Sequence, residues 1–203
     1  MKIVDAYYKI KLFNLPIFRT NDIATYLQIT TSHASHILSR LAKSEHIKRI
    51  KHGMWAIPEL VEPLIIPQYL TAPLPCYISL HSALYYYGMI SQVPDTIYAV
   101  SLAKTKCYST PLGRMSIHHI NAEFFFGFDT LENGVNLAAP EKALLDVLYL
   151  SAAKSKLFSA LPELELSKDF SINKAKEIIQ QIKTVKTKTL IERRFTAIIK
   201  QQS

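Results

Sequence analysis

Residues 31–52 concentrate hydroxyls, imidazoles and cations: Thr31, Ser32, His33, Ser35, His36, Ser39 and Arg40, then Lys48, Arg49, Lys51 and His52. Hydroxyls and imidazoles exchange hydrogen bonds with base edges, and guanidinium and ammonium groups hold phosphates. The set therefore suits a nucleic-acid duplex. The first seven read as the polar face of one helix, because Ala34, Ile37, Leu38 and Leu41 recur at helical spacing on the other face. A helix N-terminus here adds a partial positive charge that favours phosphate.

The neighbouring residues predict how that face is held. Thr20 or Asn21 caps a short helix carrying Ile23, Ala24 and Leu27, and Gln28, Ile29 and Thr30 make a turn. Thr31 or Ser32 then opens the polar helix, which runs to about Ser44. Residues 47–50 and 54–57 have strand composition, with Lys51, His52 and Gly53 as the turn between them. A first helix over Val4 to Phe13 puts Val4, Tyr7, Tyr8 and Leu12 on one side and ends at Asn14 and Pro16. The order predicts a winged helix-turn-helix domain over residues 1–60.

Pro58, Pro63, Pro67, Pro73 and Pro75 then crowd one segment, which sets a domain boundary near residues 58–64. Leu64, Ile65, Ile66, Tyr69 and Leu70 make this linker too apolar to float, so it is expected to dock. Residues 61–203 read as a mixed α/β domain ending in helices, and the whole chain as α+β. A helix from Leu80 to Tyr87 ends at Gly88. Strands are expected over 96–102, 116–120, 123–126 and 135–137. Pro140 begins a helix to about Ala153, with Glu141 meeting its dipole, Ala143, Leu144, Val147 and Leu148 packing inward, and Asp146 bonding a neighbouring loop. The tail from Ser171 is helical.

Other residue groups promise less. Tyr85, Tyr86 and Tyr87 are a weak stacking platform, since two of three successive helical tyrosines should be at least partly buried. Ser79, His81 and Ser82 read as helix-start caps and not as a nucleophile turn. His118 and His119 are adjacent on a strand and face opposite ways, which argues against a shared metal. Asp129 and Glu141 lack the spacing of a nuclease. No catalytic, metal or cofactor residue is therefore assigned. Lys183, Lys186, Lys188, Arg193 and Arg194 form a second basic group in the tail, either a solvated face or a second contact surface.

Charge agrees with a polyanionic partner. The chain of 203 residues carries +8, distributed as +4 over residues 1–62, −2 over 63–167 and +6 over 168–203. Two cysteines, Cys76 and Cys107, point to a reducing, cytoplasmic setting, with one bridge between them left open. The N-terminus does not read as a leader, and no stretch has the length and apolarity of a membrane span.

Three segments carry a resemblance: residues 20–57, the run Tyr77 to Gly88 containing Ser82-Ala83-Leu84, and Leu137 to Asp146 containing Pro140-Glu141-Lys142-Ala143-Leu144-Leu145-Asp146. With these the chain resembles the AbiEi-type antitoxin and transcriptional regulator family of type IV toxin–antitoxin systems. The resemblance implies an N-terminal domain that binds inverted operator repeats in double-stranded DNA and represses its own operon. It implies a C-terminal domain that opposes a nucleotidyltransferase-like toxin, with or without a stable complex. The alternatives are a stand-alone winged-helix regulator whose second domain senses a ligand or dimerises, and, more remotely, a nucleic-acid-processing enzyme.

Overall fold

The computed structural model describes residues 3–152 and 163–202. Among them are eight α-helices and two β-sheets, a mixed α+β architecture. None of these helices is long and apolar enough to cross a membrane.

The N-terminal unit runs α1 (Ile3–Leu12), β1 (Ile17–Arg19), α2 (Thr20–Tyr26), α3 (Thr31–Lys43), β2 (Lys48–Lys51) and β3 (Met54–Ala56). The three strands are antiparallel in the order β1-β3-β2. Phe18, Trp55 and Arg49 are register neighbours and share one sheet face. Phe18 and Trp55 pack there on Ala6, Ile10, Ile23, Ala34, Leu38 and Leu41 of the three helices. The opposite face, with Ile17, Met54 and Ala56, packs on Val61, Ile66, Leu70 and Met115 of the rest of the chain. The small sheet is thus covered on both sides.

Several local expectations change. In α1 it is Ala6 and Ile10 that are buried, while Val4, Tyr8 and Leu12 are exposed. The small side chain of Ala6 lets α1 approach α3 closely, which the larger residues would prevent. Arg19, not Thr20 or Asn21, precedes α2, and its N–H donates to the Asp22 carboxylate at 2.7 Å. Helix α3 does begin at Thr31, and the Thr30 hydroxyl just before it accepts from the His33 N–H at 3.2 Å. Lys51 belongs to β2, leaving a two-residue turn at His52 and Gly53, where Gly53 takes φ +69°.

The proline-rich linker docks as expected, but it also contains structure. A 3-10 turn (Pro63–Ile65) leads into α4 (Ile66–Thr71). Pro67 lies in the first turn of α4, where its missing N–H leaves no bond unmade.

The second unit contains β4 (Cys76–Ile78), α5 (Leu80–Tyr86), β5 (Thr96–Ser101), β6 (Lys106–Thr110), β7 (Gly113–His119), β8 (Phe128–Thr130), β9 (Asn136–Ala138), α6 (Pro140–Ala152), α7 (Ile172–Gln180) and α8 (Val185–Gln202). Its sheet has the order β6-β7-β5-β4-β9-β8, with β5 parallel to β7 and β4 parallel to β9. Residues expected as a strand at 123–126 instead form a 3-10 turn (Ala122–Phe124), capped by Asn121. Strands β4, β6 and β8 are short or half-polar and gave no clear alternation. The expected end of α6 near Ala153 lies outside the described residues. Both cysteines are free. Cys76 on β4 and Cys107 on β6 have two strands between them, so roughly 14 Å separates their backbones, beyond the reach of a bridge.

The two segments Tyr77–Gly88 and Leu137–Asp146 meet in the core of this unit. Lys142 and Asp146, one turn apart on α6, form a fully buried ion pair. Asp146 bonds the connection between β4 and α5, as the sequence suggested, and reaches into β4 as well. It accepts from the Ser79 hydroxyl at 2.7 Å, just beyond β4, and from the Tyr77 hydroxyl at 3.0 Å, in the middle of β4. The Lys142 ammonium lies 3.8 Å from the centre of the Phe124 ring. Burial pushes the lysine pKa down and the aspartate pKa up, and their mutual attraction opposes both shifts. Glycine is favoured at Gly127 beside this lysine, because the backbone takes φ +75° there and a β-carbon would press on the Lys142 stem at 3.2 Å. Leu80 follows Ser79 at φ +57°, a strained conformation for leucine that its buried side chain and the Ser79 bond enforce. Glu141 is also buried and accepts from the Ser171 N–H at 2.7 Å, which ties the start of α7 to α6.

Candidate nucleic-acid interface

Helix α3 has a buried stripe of Ala34, Ile37, Leu38 and Leu41. With about 100° of rotation per residue, Ser32, His36, Ser39 and Lys43 lie on the crest opposite. Thr31 and Ser35 flank that crest on one side, and His33 and Arg40 on the other. All of these side chains are exposed. Two local features aim this face. Gln28 takes φ +53° in the turn between α2 and α3, and the Thr31 hydroxyl reaches the Asn21 side chain at 3.4 Å.

The hairpin meets the helix across a groove of about 310 Å³, lined by Thr31, Ser35 and Ser39 on α3, Arg49, His52 and Gly53 on the hairpin, and Arg19 to Asn21 between them. Buried Trp55 forms its floor, and its ring N–H donates to the Thr20 hydroxyl at 2.9 Å. Arg49 lies over the Trp55 ring at 5.5 Å and donates to His52 Nδ1 at 3.0 Å. Its guanidinium is therefore positioned beside the groove before any ligand arrives.

The structure gathers the predicted residues unevenly. Thr31, Ser35, Ser39, Arg49 and His52 share the groove. Ser32, His33, His36 and Arg40 extend the exposed face beyond it. Lys48 is held by Glu45 at 3.4 Å, which partly neutralises it. Lys51 turns away toward the second unit and donates to the Leu70 carbonyl at 3.3 Å. Sequence reasoning missed Lys43, although it continues the spacing of Ser32, His36 and Ser39. It also missed Arg19 and Asn21, which reach the groove only through the pairing of β1 with β3.

Three of the five tail cations are engaged with other side chains. Lys183 pairs with Glu123 at 2.7 Å, Lys188 with the Gln180 side chain, and Arg194 turns onto the Ser151 hydroxyl. Lys186 and Arg193 are exposed. The tyrosines also depart from expectation: Tyr85 and Tyr86 are both exposed, because α5 buries Leu80, Ala83 and Leu84. Ser79, His81 and Ser82 have structural roles in part. The Ser82 hydroxyl accepts from the Tyr98 N–H at 2.8 Å, and the His81 ring packs on Tyr98.

His118 and His119 do face opposite ways, His118 buried and His119 exposed. The His118 ring is 2.8 Å from the Ser116 hydroxyl, and burial, aided by nearby His81, pushes its pKa down to about 4. Its folded value thus lies below the usual 6.5 of the unfolded chain. The unfolded state takes up a proton first as pH falls, so this contribution to stability is complete above about pH 6.5 and is lost toward about pH 4. Urea unfolding across that window should show falling stability, and His118→Gln should flatten the slope. An unchanged slope in the variant would remove His118 as its source.

Comparison with known family models finds no match, and neither does comparison with characterised proteins. Among solved structures the chain is similar to the solution structure of the antibiotic-resistance factor ANT(2'')-Ia, at 11% identity over 68% of this chain and 92% of that one. The TM-score is 0.33, too low for the likeness to indicate a fold or a function.

Proposed function

We propose that residues 1–60 act as a winged helix-turn-helix that binds double-stranded operator DNA. We further propose that the chain is a cytoplasmic autorepressor and antitoxin of a type IV toxin–antitoxin system, working by binding and not by catalysis. The observation that carries the DNA reading is the groove between the hydroxyl-rich face of α3 and the Arg49–His52 hairpin. The order α1-β1-α2-α3-β2-β3, with the sheet order β1-β3-β2, supports it. The helix crest supplies hydrogen-bonding side chains for base edges, and Arg40, Lys43 and Arg49 supply charge for phosphates. The antitoxin part rests on the resemblance carried by Tyr77–Gly88 and Leu137–Asp146. Tyr77, Ser79, Glu141, Lys142 and Asp146 of those segments lie inside the fold, so within them a toxin would meet chiefly the exposed Tyr85 and Tyr86.

The test is binding to duplexes containing the inverted repeats upstream of the protein's own gene, titrated with salt. Affinity should fall at least about tenfold between roughly 50 and 200 mM salt, as counterions displaced by several phosphate contacts demand. A double variant, His36→Ala with Arg40→Ala, should bind weakly. Salt-independent affinity, or wild-type binding by the double variant, would rule out α3 as the recognition helix. The antitoxin role is tested by co-expression with a nucleotidyltransferase-like product of the adjoining gene, where growth should be rescued; persistent toxicity would refute it.

A further inference from the structure

We propose that the seam between the two units is a phosphodiester-binding site, in which Lys106 of the second unit joins Arg19 and Lys51 of the first to grip the duplex backbone beside the groove. The proposal rests on the DNA-binding reading and extends it beyond the N-terminal unit.

The register of the small sheet creates this arrangement. Arg19 on β1 and Lys51 on β2 both lie opposite Met54 on β3, one on each side. Register neighbours share a face. Met54 faces the second unit and is buried against it with Met115 and Tyr108. Arg19 and Lys51 therefore flank an apolar plug that locks one unit onto the other. Strand β2 lies against β6, the edge strand of the larger sheet. There Lys106 is exposed, with its ammonium 5.0 Å from the centre of the Tyr108 ring.

Three segments distant in sequence thus bring three cations to one seam. Among the described residues none of the three has a carboxylate partner, whereas Lys11, Lys48, Arg114, Lys142 and Lys183 all do. Asp22, the acid next to Arg19, commits its carboxylate to the Arg19 backbone N–H. Lys51 is held by the Leu70 carbonyl, which fixes its position without neutralising it. Partial burial and the nearby charges of Arg19 and Lys106 all disfavour the Lys51 ammonium. Like charges held together by apolar packing repel one another, and a bound phosphate relieves that repulsion. Arg19 also lines the groove, so the seam continues the same surface. A phosphodiester fits better than a single small anion, because Arg19 on β1, Lys51 on β2 and Lys106 on β6 follow one another across the seam, where a backbone can touch them in turn.

The experiment compares wild type with Lys106→Ala, Lys106→Glu and Lys176→Ala in the full chain, using the inverted-repeat duplex and a scrambled duplex of equal length. Lys106→Ala should weaken binding to both duplexes by a similar factor, roughly 3–10-fold, and lower the salt slope by about one. Lys106→Glu should weaken both further. Lys176→Ala, a change to an exposed cation on α7, should alter neither. Because Lys106 is exposed, these variants should keep the wild-type unfolding curve. Wild-type affinity and salt slope in both Lys106 variants would overturn the seam site, and a binding loss with Arg49→Ala in the same assay would show that the DNA reading survives it. Absence of duplex binding by the wild type would instead overturn the DNA reading, and the seam site with it.

Discussion

Asp146→Ala is expected to destabilise the protein by about 3–5 kcal/mol, because it leaves the ammonium of Lys142 buried without its partner. The Tyr77 and Ser79 hydroxyls lose their acceptor in the same step. No described solvent path relieves the lysine, since both side chains of the pair are 0% exposed. The loss should appear in urea unfolding followed by circular dichroism. A combined variant that removes the whole polar set, Lys142→Met, Asp146→Leu, Tyr77→Phe and Ser79→Ala, should recover much of the stability. Apolar replacements of similar volume avoid the desolvation of both charges. A loss below about 1 kcal/mol in Asp146→Ala would mean that the pair does not hold the core together. The network and α3 belong to separate cores, so Asp146→Ala that remains folded at low temperature should still bind DNA.

Ser39→Glu should reduce duplex affinity by roughly a hundredfold, about 2.7 kcal/mol. Ser39 belongs to both the helix crest and the groove, so a carboxylate there meets phosphates and acceptor-rich base edges at the centre of the contact. The side chain is exposed, and the unfolding curve should stay close to that of the wild type. Ser39→Ala is the companion variant, with a loss of no more than about tenfold, because it removes one hydrogen bond without adding charge. Wild-type affinity in Ser39→Glu would place the duplex somewhere other than this groove.

Much of the first unit was legible because its signals are local. The apolar spacing of Ala34, Ile37, Leu38 and Leu41 places α3, and a helix with one buried stripe must expose Ser32, His36 and Ser39. Gly53 marks the hairpin turn for a similarly local reason. The second unit was harder to read. Strands such as β4 and β8 have three residues each, too few for alternation to register, and Phe124 to Phe126 look like a strand although Asn121 caps a 3-10 turn there. In α1 the apolar residues span more than one face, and only packing selects Ala6 and Ile10 for the interior.

The candidate site divides in the same way. By itself the sequence determined which side chains α3 exposes, since helical geometry converts spacing directly into a face. It also determined that the chain has a basic N-terminal module, a docked linker and a helical end. Tertiary structure alone decided which cations serve that face. Arg49 and Lys51 are two residues apart on one strand, yet a register irregularity and the two-sided packing of the sheet send Arg49 to the groove and Lys51 to the seam. Lys106 joins that seam from a different sheet, and Lys142, indistinguishable in sequence from a surface lysine, is sealed in the core by Asp146 and Phe124. The physical reason is that a charge takes its role from its neighbours in space, and for these residues most of those neighbours are remote in the chain.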